Sequence, residues 1–158
     1  MVAAVDRALL ILHALVGGAC VGGLTSDLVR SARRLRAGDD AGARPVRPPW
    51  IAAALFAAAF VLGCVLYPPY RLEVRAGWLD AHRPEVARLF DIKEHAAALA
   101  LATLAAQVYL ARRAHAAVVK DALTGVVYVA LAAWNAACAW LAVIVGLYTV
   151  SHRTFGAG

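Results

Sequence analysis

The stretch WIAAALFAAAFVLGCVLY, Trp50–Tyr67, is eighteen residues without one Asp, Glu, Lys or Arg. A helix rises about 1.5 Å per residue, so this run is roughly 27 Å long. That nearly matches the hydrocarbon core of a bilayer, about 30 Å. Ala, Leu, Phe and Val follow one another without the two-residue alternation of a transmembrane barrel strand. The stretch therefore reads as a membrane-spanning helix. Three more uncharged runs behave alike: Ala8–Leu24, Ala96–Ala111 and Leu123–Val150. The chain is 158 residues long and 63% hydrophobic, above the near-half content of soluble domains. These features predict an all-α protein, an integral membrane four-helix bundle forming a single domain over residues 1–158. Its spans are expected at about 8–26, 50–69, 93–112 and 123–150. The first run, with Arg7 ahead of it and GGAC within it, has some features of a cleaved signal peptide. It is taken as a retained helix.

The net charge of +6 would suggest nucleic acid in a soluble protein. Here it reflects Arg-rich connections, and no nucleic-acid partner is expected. Between the first two runs lie Arg30, Arg33, Arg34, Arg36, Arg44 and Arg47, and between the last two lie Arg112, Arg113 and Lys120. The other side of the membrane receives Arg7, Arg71, Arg75, Arg83, Arg88, Lys93 and Arg153. By the positive-inside rule the first and third connections are cytoplasmic and both termini are outside, in a bacterial inner membrane. Cys20, Cys64 and Cys138 all fall within spans and read as small buried apolar residues. Gln107 and Asn135, at membrane depth, are expected to bond between helices.

The connection YPPYRLEVRAGWLDAHRPEVARLFDIKEH, Tyr67–His95, is richer in chemistry. Pro68 and Pro69 predict the end of the second helix. Val86, Leu89 and Phe90 share one helical face and predict a short interfacial helix between helices two and three. Asp91 and Glu94 have the spacing of a capping box at the start of helix three. Four antiparallel spans bring this connection to the same leaflet as His13 and His152. Polar and ionisable groups at membrane depth are costly and are candidate functional groups.

His13 and His95 stand at matching depths on parallel helices, an arrangement able to hold one haem b iron from both faces. Arg71, Arg75 and Lys93 would then pair with propionates or an anionic substrate, and Tyr67 and Tyr70 would wall the pocket. A divalent metal held by His13, Glu94, His95 and His152 is the alternative. A third reading makes the chain a non-enzymatic membrane subunit or small-molecule channel, in which the cluster only caps helices and meets lipid, His13 bonds to a neighbouring helix and the glycines only pack. The redox reading implies quinone or a redox protein as partner beside the lipid bilayer, and a homo-oligomer is compatible with it.

The first helix, LHALVGGACVGG, resembles the opening helix of copper-resistance D-like and cytochrome b561-like small membrane proteins. The resemblance covers one helix of four. It implies that His13 faces a haem or metal and nothing more. A two-haem arrangement needs further histidines near the opposite leaflet, where only His115 lies, so at most one haem is expected, near the outer leaflet.

Overall fold

The computed structural model describes residues 2–37, 49–116 and 122–152. Helix α1 runs Val2–Ala37 and α2 runs Trp50–Pro69. A ten-residue π segment, Tyr70–Leu79, continues α2 without a break. The one-turn α3, Asp80–His82, follows it. Helices α4, Pro84–Ala116, and α5, Ala122–His152, complete the chain. No strand occurs among the described residues. Four helices are long and apolar enough to cross a membrane, Arg7–Ala37, Trp50–His82, Pro84–Arg113 and Leu123–His152. Large apolar side chains face outward along them; Ile51 is 78% exposed and Leu147 65%. Such a surface is unfavourable in water and ordinary in lipid.

The bundle is a ring in the order α2, α1, α5, α4, with a shorter seam between α2 and α4. Helices α1 and α4 are therefore diagonal neighbours running in the same direction. Small side chains let the helices approach: Cys20, Ala52, Ala100, Ala136 and Ala139 are buried together with Leu24, Phe56 and Leu104. At Gly23 the fit is tight, since a Cβ there would come 3.0 Å from that of Ala52. A second apolar cluster closes the other end, where Leu66, Tyr70 and Val74 meet Leu79, Val86 and Ala87.

Several sequence expectations change in the folded chain. The prolines do not end the helix; they precede a widening into the π form, in which the Asp80 N–H bonds to the Arg75 carbonyl. Helix α3 is the last turn of the second long helix, Trp50–His82, and Val86, Leu89 and Phe90 belong to the first turns of α4. The chain breaks helical geometry at Arg83, with φ −147° and ψ 61°, so α4 starts at Pro84, where proline is well tolerated. Asp91 is then two turns inside α4 and cannot cap it. Cys20 and Cys138 are buried, as expected, whereas Cys64 is exposed on the outer face of α2. Arg44, Arg47, Lys120 and Arg153 lie outside the described residues.

Candidate functional site

The π segment and the first turns of α4 gather one charged cluster. The Arg75 guanidinium makes a two-pronged pair with the Asp91 carboxylate, with Nη2 donating to Oδ2 at 3.0 Å. Its Nε lies 3.5 Å from the Asp80 carboxylate. Arg75 is therefore already matched by two acids of its own chain and is not a free anchor for a ligand. Arg71 is exposed and contributes no described ion pair. One turn beyond Asp91, Lys93 and Glu94 are half-buried. The Lys93 ammonium lies 3.6 Å over the Phe90 ring, which stacks on Tyr70 with centroids 4.0 Å apart. Tyr67 stands beside Tyr70, 6.5 Å between centroids.

The histidines separate into two kinds. His82, His95 and His152 each donate Nδ1–H to the carbonyl one turn earlier on their own helix, at 2.9, 2.7 and 2.8 Å. His82 also stacks on Trp78, and His152 meets the Tyr148 ring edge-on. His95 is exposed, and its acceptor is the Asp91 carbonyl. His13 differs from all three. Its ring is half-buried against α2 between Ala59 and Gly63, within electrostatic range of Lys93. A Cβ at Gly63 would stand 3.4 Å from its Cε1, so the missing side chain there makes room for the ring.

Among the described residues, two buried side-chain polar atoms have no hydrogen-bond partner, Nδ1 of His13 and the hydroxyl of Tyr70. Buried polar atoms are nearly always paired, by protein, water or ligand. Both lie at the end of the bundle where α1, α2, the π segment and α4 converge, on either side of the Phe90–Lys93 pair. The structure thus assembles His13, Tyr70, Tyr67, Lys93 and Glu94 from the expected set. It leaves His95 and Arg71 on the outside and His152 against α5, and no described contact joins His95 to His13. No group of three or more His, Cys, Asp or Glu side chains arranged to hold a metal occurs among the described residues.

The sequence reading missed a second polar group, deep in the other half of the bundle. Asp27 is only 3% exposed, and its Oδ2 accepts from Gln107 Nε2 at 2.8 Å and from the Tyr128 hydroxyl at 2.9 Å. Asn135 Nδ2 donates to Gln107 Oε1 at 2.7 Å, and Thr103 donates to Asn135 Oδ1 at 2.7 Å. The expected interhelical bonds of Gln107 and Asn135 are therefore present, as one ladder joining α1, α4 and α5. A signal for Asp27 existed. Cys20, Leu24, Asp27 and Ser31 recur at i, i+4, i+7 and i+11, so the buried face of α1 continues past the uncharged run.

Comparison with protein-family models, curated proteins and solved structures finds no match.

Proposed function

We propose that this integral membrane protein binds a small membrane-soluble ligand with hydrogen-bonding oxygens at the His13–Tyr70–Lys93 end of the bundle. A quinone head group is the ligand this chemistry fits best. The reading rests on the two partnerless polar atoms, His13 Nδ1 and the Tyr70 hydroxyl. The Tyr70 hydroxyl can donate to a carbonyl oxygen, whereas His13 gives its N–H to the Ala59 backbone and presents Nδ1 as acceptor for a quinol hydroxyl. The Lys93 ammonium beside them favours added negative charge when a quinone is reduced. Tyr67, Tyr70 and Phe90 supply apolar ring faces for a flat molecule. The function class is a redox-linked membrane protein, and the source of electrons would be a partner. Arg30, Arg33, Arg34, Arg36, Arg112 and Arg113 gather at the opposite end, which we assign to the cytoplasm, so this site faces outward.

The test is titration of the purified protein in detergent with a short-chain benzoquinone, followed calorimetrically. Tyr70→Phe and His13→Ala are each expected to weaken binding about tenfold, the loss of one buried hydrogen bond of roughly 1.4 kcal/mol. Wild-type protein that binds no quinone, or variants that bind it unchanged, would remove the reading. The haem reading shares His13 but needs a second inward ligand, and His95 is exposed. Adding haem and recording the Soret region distinguishes the two: a His13-dependent band would replace the quinone reading with the haem one.

A further inference from the structure

The geometry points to a bound anionic phospholipid on the outside of the bundle, at the end opposite the His13 site. Between α2 and α4 lies a groove of about 340 Å³, open on one side and lined by Trp50, Ala53, Leu101, Leu104, Tyr109 and Arg112, among others. It occupies the short α2–α4 seam, where the ring of helices is least closed. Its floor is apolar and its outer end is not. The Arg112 guanidinium lies 4.1 Å over the Trp50 ring, and that of Arg113 5.7 Å over the Tyr109 ring. No carboxylate within 4 Å balances either arginine among the described ion pairs.

Length and charge together select the occupant. From Leu101 to Arg112 is eleven residues of helix, about 16 Å. That is half of a hydrocarbon core of roughly 30 Å, the depth of one leaflet. An acyl chain lying in the groove would therefore end near the bilayer midplane, with its head group level with the two arginines. Trp and Tyr rings at that level mark the membrane–water boundary. Paired arginines there favour phosphate over a zwitterionic head group, because no second positive charge competes for it. One acyl chain fills the groove, and the lipid phosphate bridges Arg112 and Arg113. This site shares no residue with the quinone reading and stands or falls separately from it.

Native mass spectrometry of the full chain, released from detergent with dioleoyl phosphatidylglycerol or dioleoyl phosphatidylcholine, tests the proposal. The wild type is expected to retain one phosphatidylglycerol roughly tenfold better than phosphatidylcholine. The double variant Arg112→Gln, Arg113→Gln should lose that preference. Arg112→Lys with Arg113→Lys, which keeps both charges, should retain most of it and serves if the glutamine variant does not fold. Ala105→Phe fills the groove from an exposed position and should reduce retention of both lipids. Excess inorganic phosphate should leave the bound lipid in place. Equal retention of the two lipids by the wild type overturns the proposal. So does an unchanged preference in the glutamine variant, unchanged retention in Ala105→Phe, or displacement by phosphate alone.

Discussion

Asp27 shows what one misplaced charge costs in a membrane bundle and how it is accommodated. A carboxylate that is 3% exposed needs donors, and the chain supplies them from two other helices, Gln107 on α4 and Tyr128 on α5. Gln107 has a fixed orientation as a result, its amide nitrogen toward Asp27 and its oxygen toward Asn135. Gln107→Leu keeps similar bulk but strands acceptors and donors on both sides. Its expected cost is about 1–2 kcal/mol, measured as a lower unfolding midpoint in mixed micelles. Asn135→Leu interrupts the same ladder one step further and should combine less than additively with it. At His13 the decisive neighbour is a missing side chain. Gly63→Val adds bulk where a Cβ already stands 3.4 Å from the ring. It should displace the imidazole and weaken quinone binding as His13→Ala does, while leaving the helical circular dichroism intact.

At the scale of elements, the π segment decides the geometry of the site. Pro68 and Pro69 lack the N–H groups that would continue ordinary helical bonding, and the ten residues after them adopt the wider winding. Gly77 accommodates that winding, since a Cβ there would approach the Leu72 carbonyl oxygen to 3.2 Å. The segment is then tied down from outside by the Arg75–Asp91 pair to α4 and by Tyr70 stacking on Phe90. Arg75→Ala removes the pair and leaves Asp91 half-exposed, without its guanidinium partner. Amide hydrogen exchange across Tyr70–Leu79 should accelerate several-fold in this variant, with exchange in α5 unaffected. Equal acceleration in both regions would mean that the pair stabilises the bundle globally rather than this segment.

The whole molecule combines an apolar exterior with two separated polar interiors. His13 and Asp27 are fourteen residues apart on α1, about 21 Å, so each polar group occupies its own half of the bilayer. Buried Ala, Cys and Leu side chains fill the space between, an apolar layer through the middle of the bundle. Its outward-facing Ile, Leu and Val residues predict that the protein stays with membranes after an alkaline carbonate wash and needs detergent for release. Val61→Arg, at a site 60% exposed near the middle of α2, should cost about 2–3 kcal/mol in lipid. The cost would be read as reduced accumulation in the membrane fraction. An unaffected level would mean that Val61 does not face hydrocarbon.

Composition and run length alone determined that the chain is helical and that it has four helices long and apolar enough to cross a membrane. These follow from the bilayer's demand for about twenty apolar residues per crossing, a property of local sequence. The order of the helices, the continuation of α2 through its prolines and the start of α4 at Pro84 were settled only in the fold. So was the direction in which each imidazole points. His13 and His95 look equivalent as letters in two apolar helices. Rotation of α4 about its axis, set by burial of Ala100, Leu104 and Gln107 on one face, turns His95 outward. The packing of α1 on α2 turns His13 into the gap beside Gly63. Helical phase depends on which faces of four helices pack together, and that is a tertiary property that no single run encodes.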